Sequence, residues 1–339
     1  MRWFMVFLVF MSMAAARPAD ALPRPGALPS DPKGDVVAIN FAPGDAPVRY
    51  TFETENEKNQ RGVFSRYAVK SVDEVRFTPA DMGGLFSVDW RTVEFRVEAP
   101  APLNLMLEST YQALAAVPLT YQASRNGVPM ALDDLSAMRT AIAESFKTLR
   151  ATVVTPDFFV KLGNPKPGKA EVKAFGQLFD AALEPFLNVE DTALSEQLLE
   201  TPTMMFGLGG ASLAMRQPIP VSGVVSAPWG TPLRVSGTVE ATYFDRPKNQ
   251  LTIVTAASVD PESLKAAVEQ YFESLKDKLP PEAVDQAKAQ VDQFLKLKVT
   301  ERAELVLDVA TGIPDRLSYE KTTEINGETQ TERRTVRRQ

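Results

Sequence analysis

The side chains in this 339-residue chain that could do acid–base or nucleophilic work are carboxylates, lysines and hydroxyls, because the sequence contains no histidine and no cysteine. Without histidine there is no common proton-transfer group near neutral pH, and no Ser-His-Asp or Cys-His arrangement. Without cysteine there are no thiol nucleophiles, disulfides, thiolate zinc sites or iron–sulfur clusters. Lysine or carboxylate chemistry remains, and a metal site would have to be built from carboxylates, which suit hard ions. The expectation is a non-enzymatic protein with no cofactor and no metal centre. A carboxylate- or lysine-dependent hydrolase or lyase ranks third among the readings.

The local motifs point the same way. Gly207-Leu208-Gly209-Gly210-Ala211-Ser212 has the composition of a phosphate loop. It lacks the G-x-G-x-x-G spacing and no Lys-Ser/Thr follows it, so it reads as a flexible apolar loop or helix break. Asp308 to Gly312 (DVATG) shares letters with an acid-protease D-T-G, but the spacing is wrong and there is no second copy, so a strand and a turn are expected. Ser145/Lys147, Ser263/Lys265 and Ser274/Lys276 stand two apart on helical stretches and diverge; no serine–lysine acyl-transfer set is expected. Asp133-Asp134 and Glu190-Asp191 read as caps or surface acids. Arg333, Arg334, Arg337 and Arg338 alternate with Thr329, Thr331 and Thr335 near the end of the chain. They read as a solvated edge strand protected by charge rather than as an anion site. The formal charge of −6 (37 Lys+Arg against 43 Asp+Glu) speaks against nucleic acid as a partner.

The apolar residues are more suggestive. Met204, Met205, Phe206, Leu208, Leu213 and Met215 form the most apolar internal stretch. Trp90, Trp229 and Tyr243 fall on strands or turns around it. Methionine-rich surfaces adapt to varied apolar ligands, so these nine residues are the sequence's candidate lining for a lipid or acyl chain. The competing reading is plain core.

The elements that position these residues follow from hydrophobic periodicity. Arg2, the apolar run Trp3 to Met13 and the Ala19-Asp20-Ala21 pattern read as a signal peptide over residues 1–21, too short to span a bilayer. Residues 22–35, rich in Pro and Gly, read as a flexible leader. Residues 36–338 read as a single extended α+β domain, divisible into halves at about 36–215 and 216–338. No later stretch is apolar enough for a transmembrane anchor. The expected location is periplasmic or secreted.

Within the domain, Tyr50, Phe52 and Thr54 alternate with polar residues, as do Val63, Ser65, Tyr67 and Val69, giving a hairpin across a polar turn at residues 56–62. Phe86, Val88 and Trp90 share one parity and Val93, Phe95 and Val97 the other, which predicts a bulge near Arg91-Thr92. Residues 103–116 read as a helix, and Asn126-Gly127 between alternating runs as a hairpin turn. Helices follow on Leu135/Met138/Ile142/Phe146/Leu149, with Asp133 as cap, on Val172/Phe175/Phe179/Leu183, and, briefly, on Leu194/Leu198/Leu199. A three-stranded meander follows over 219–258, with Leu233, Val235, Val239, Ala241 and Tyr243 on one face of its middle strand. Then come a helix capped by Asp260-Pro261, a second helix on Val284/Ala287/Val291/Phe294, and three strands to residue 338 joined by turns at Thr311 to Pro314 and Asn326-Gly327.

Strand blocks separated from helix blocks argue for α+β with curved antiparallel sheet segments packed against a central helical segment, half-barrel-like in form. Two stretches carry a resemblance. Ala303 to Arg338, with its D-x-x-T-G turn before a hairpin, resembles the C-terminal strands of a family of secreted bacterial α+β proteins of uncharacterised role. Leu119 to Leu132 resembles their middle hairpin. The overall plan resembles the half-barrel carriers of lipoproteins and lipids in the bacterial envelope. That resemblance implies a protein that holds an apolar ligand or an envelope protein. The alternative is an assembly module that uses its strand edges.

Overall fold

A computed structural model describes residues 35–60, 63–80, 84–101, 103–161, 163–164, 166–226, 231–275, 298–325 and 328–339. The expected signal peptide, Trp229, the helix on Val284 to Phe294 and the Asn326-Gly327 turn lie outside them.

The fold is α+β, dominated by one large open antiparallel sheet. Its strand order is β6-β5-β4-β3-β2-β13-β12-β11-β10-β9-β8. One half comprises β2 (Val48–Gln60), β3 (Val63–Pro79), β4 (Phe86–Glu98), β5 (Leu119–Ala123) and β6 (Pro129–Leu132). The other comprises β8 (Ile219–Ser226), β9 (Pro232–Asp245), β10 (Gln250–Val259), β11 (Lys298–Asp308), β12 (Pro314–Ile325) and β13 (Glu328–Arg338). The two meet where β13 pairs with β2 over Thr329–Asn59 to Arg338–Tyr50. This corrects the expectation for the arginine-rich tail. β13 is an interior strand, so its alternation separates two faces of a sheet and does not protect an edge. Arg333 pairs with Glu57 and Glu320 on the outer face, while Arg334 turns inward and is nearly buried.

Bulges decide which side chains reach the inner face. Between β3 and β4, Val72 pairs with Glu94 but Asp73 with Thr92, leaving Val93 as the extra residue. The insertion returns Phe95 and Val97 to the face of Phe86, Val88 and Trp90, as the parity slip predicts, and leaves Val93 exposed. A second shift, at Thr242 between β9 and β10, has the opposite consequence for Tyr243. It puts Phe244 against the core and turns Tyr243 outward, 59 % exposed. The polar turn expected at 56–62 is shorter than that, because β2 and β3 stay paired out to Gln60 and Val63.

A short second sheet pairs β1 (Val36–Ala38) with β7 (Ser212–Ala214). From β1 the chain continues as a strap through Phe41. The Asn40 amide donates to Val309 O (2.8 Å) and that of Ala42 to Thr311 O (2.9 Å), while the Gly210 amide donates to Ile39 O (2.9 Å). The two motifs dismissed as loop and turn therefore clamp one segment from opposite sides. Their glycines are required: a Cβ on Gly209 would stand 1.7 Å from Asn126 O, and one on Gly312, at φ +69°, 2.4 Å from Asn40 O.

The helices are α1 (Leu103–Ala115), α2 (Leu135–Val153), α3 (Pro156–Lys161), α4 (Lys169–Leu187), α5 (Asp191–Phe206) and α6 (Pro261–Leu275). Asp134, one residue later than expected, caps α2 by accepting from the Ala137 amide (2.8 Å). Asp260 caps α6 through the Ser263 amide (3.0 Å). α5 is longer than its leucines suggest. It runs through Pro202 and takes in Met204 to Phe206, so half of the apolar stretch is helix. α5 touches both sheet edges, β6 and β8, and also β12. α2, α3 and α4 form an arm that packs on α1 and on the start of α5.

Candidate functional site

The nine residues proposed from sequence as ligand lining divide into three groups. Met205, Phe206, Leu208 and Leu213 are at most 2 % exposed and Trp90 is 7 % exposed, all within one apolar cluster that spans the inner face of the sheet. Met204 and Met215 pack on its border. Tyr243 faces away from the cluster, and Trp229 lies outside the described residues. The cluster is filled by residues that the sequence did not single out. The Phe41 ring lies 5.2 Å from Phe77, 5.5 Å from Phe86 and 6.4 Å from Phe206, in edge-to-face geometry. Phe206 also meets Trp90 at 6.5 Å. The apolar stretch thus acts as a plug against the sheet, held by aromatic contacts.

Beyond the plug the same inner face turns ionic. Directly opposed residues on neighbouring antiparallel strands share a face. The register therefore sets Tyr67, Asn56, Glu332, Lys321 and Glu301 in one row across five strands. Asn56, Glu332, Lys321 and Glu301 are all buried. One row along, Arg334 lies over the Tyr319 ring at 5.5 Å, its Nε donates to Glu332 Oε1 at 2.7 Å, and its Nη1 is 3.6 Å from Glu200 Oε1 on α5. Charges withdrawn from water persist where opposite charges and hydrogen bonds replace the solvent. The network thus joins the last strand to the helix that touches both sheet edges. Among the described residues no three acidic side chains converge as a metal site. Burial raises the Asp73 carboxyl above the usual carboxylate range, partly offset by hydrogen bonds from Trp90, Ser71 and Thr92. Burial likewise raises the Tyr50 and Tyr121 phenols and keeps them protonated.

The chain also contains two S-x-x-K spacings, Ser30/Lys33 and Ser318/Lys321, the separation a serine–lysine acyl-transfer set uses. The first lies outside the described residues. In the second, an odd separation on β12 sends Lys321 inward, opposite Glu332, and Ser318 outward, opposite Thr335. A serine and lysine on opposite faces of a strand cannot share a proton.

One open concavity lies on the arm. Ala143, Phe146, Lys147 and Arg150 follow the i, i+3, i+4, i+7 stripe of α2 and face Phe179, Leu183 and Leu187 of α4 across a groove of about 530 Å³. Ala143 and Ala181 are the small residues that leave this space. Arg150 bridges it, donating from Nε to Asp180 Oδ1 (2.5 Å) and from Nη2 to Oδ2 (2.9 Å). At the base, Arg139 Nε donates to Asp191 Oδ1 (3.0 Å) and Nη1 to Leu187 O (3.3 Å), tying the end of α4 to the start of α5. Sequence periodicity identifies Phe146, Phe179 and Leu183. It does not identify the groove, which depends on how two helices cross.

Comparison with known proteins finds no family model that matches the chain and no curated protein similar to it. The fold and the geometry therefore define the class: an α+β protein with a large open antiparallel sheet and a helical arm. Among the described residues no helix is long and apolar enough to cross a membrane.

Proposed function

We propose that the chain is an exported, non-enzymatic binding protein, cleaved near Ala21, that takes up the apolar chain of an amphiphile in the α2–α4 groove. One observation carries this reading: an apolar floor of Phe146, Phe179, Leu183 and Leu187 with charged groups confined to the rim, in a volume typical of small-ligand sites. Leu187 is exposed there. The lining holds two cations, Lys147 and Arg150, and two acids, Asp180 and Glu184, so it is balanced in charge and suits a zwitterionic head group. α5, touching both sheet edges, supports reading the sheet as a half-barrel scaffold. The assembly-module alternative is weakened because edge strand β6 is only four residues long and starts at Pro129, while β8 carries Pro220.

The test is lipid extraction and mass spectrometry of the purified protein, followed by titration with a fluorescent fatty acid. Bound lipid, and an affinity lowered about tenfold by Ala143→Phe, support the reading. A protein that yields no lipid and does not bind the probe ends it.

A second reading, a carboxylate-dependent hydrolase, is favoured by Glu301 and Glu332 standing on either side of Lys321. It requires a turnover that Glu301→Gln and Glu332→Gln each abolish while probe binding persists.

A further inference from the structure

We propose that the free end of the helical arm docks on an anionic membrane surface. Lys161 ends α3, Lys166 lies in the following loop, and Lys169 and Lys173 stand one turn apart on α4. Two contacts make this stretch one compact end. Asn164 Nδ2 donates to the Glu171 carboxylate at 3.1 Å, and the Phe159 and Phe175 rings meet at 5.4 Å.

All four lysines are exposed, and among the described residues none forms an ion pair through its ammonium group. Other cations of the arm are engaged: Arg139 with Asp191, Lys147 with Glu144, Arg150 with Asp180. The acids within the stretch are Asp157 and Glu171, the latter held by Asn164. A local excess of positive charge in a chain of formal charge −6 is an electrostatic footprint for an anionic partner. Folding does not require it. A cation in the first turn of a helix opposes its dipole, so Lys169 acts against the stability of α4.

Two features favour lipid over an acidic protein or a nucleic acid. The cations are all lysines, compact point charges without the bidentate fork that reads carboxylates and phosphates in fixed geometry. Between them Val160 is 47 % exposed, an apolar side chain placed to enter the interface beside the charges. The inference is independent of what the groove holds. It supplies a way for the arm to meet a membrane.

The test uses the purified protein as it accumulates in the producing cell, sedimented with vesicles of phosphatidylcholine alone or mixed with phosphatidylglycerol. Binding is expected only to the mixed vesicles, reversed by salt. It should weaken at least about tenfold in K161Q/K166Q/K169Q/K173Q and persist in the matching arginine variant. Fatty-acid probe binding should be unchanged in both, which separates failure here from failure of the ligand reading. If the parent does not bind mixed vesicles, or the glutamine variant binds them as well as the parent, the proposal is overturned.

Discussion

The sheet and the helical arm solve the same problem, burying apolar side chains, in opposite ways. The sheet does it at long range. Its cluster draws on strands from both ends of the chain, on the strap and on the end of α5, and its ladder closes only when β13 finds β2. It tolerates buried charge because a fixed ladder holds Arg334 against Glu332 and Glu200. The arm does it locally. Leu149, Val153, Phe158, Phe159, Phe179 and Leu183 form a separate small core within a few dozen residues, and its ion pairs are exposed. The difference teaches where rigidity and adaptability lie. Long-range pairing with close backbone approach makes a scaffold, whereas a small local core under exposed helices is the part able to open.

Breaking the sheet should have the largest effect. Arg334→Met removes the guanidinium that Glu332 and Glu200 share and is expected to cost about 3–5 kcal/mol; Gly209→Ala, forced against Asn126 O, should cost on the order of 3 kcal/mol. Denaturant melts should show both losses as a shift of the whole transition, and a shift confined to the arm would contradict the scaffold assignment. Phe159→Ala removes a fully buried ring from the arm and should cost about 3–5 kcal/mol there. Hydrogen exchange should then speed up over residues 135–187 while β10 to β13 stay protected.

A smaller, pH-dependent effect is expected at Asp73. Because its folded-state pKa is raised, its contribution to stability is complete below the unfolded value and is lost as pH rises through the folded one. Asp73→Asn keeps an acceptor for the Trp90 Nε1–H (2.8 Å to Oδ2) without the charge. Thermal melts should find the variant more stable than the parent at neutral pH, with the gain vanishing in acid. The smallest effect belongs to the arm's surface. Arg150→Gln, at a half-exposed pair, should change stability by about 0.5 kcal/mol or less, while lowering probe affinity if the rim orients a head group.

The parity slip before Val93 was legible because an apolar alternation that changes phase can keep its face only by inserting a residue. The matching shift at Thr242 was not. Val239, Ala241 and Tyr243 keep an unbroken alternation, and only pairing with Thr252 and Ile253 turns Tyr243 outward. The glycine clamp was illegible for a related reason. Gly209 and Gly312 look like loop residues until the Asn126 turn comes against the first and the strap at Asn40 against the second.

The amino-acid sequence by itself determined the α+β class, the hairpins, the helix caps at Asp134 and Asp260 to within a residue, and the poverty of catalytic groups, because these rest on short-range periodicity and composition. The tertiary structure decided which apolar residues are plug and which line a groove, that the arginine strand is interior, and that buried charges gather in one row. Each of these depends on which distant segment lies opposite, and no local spacing carries that information.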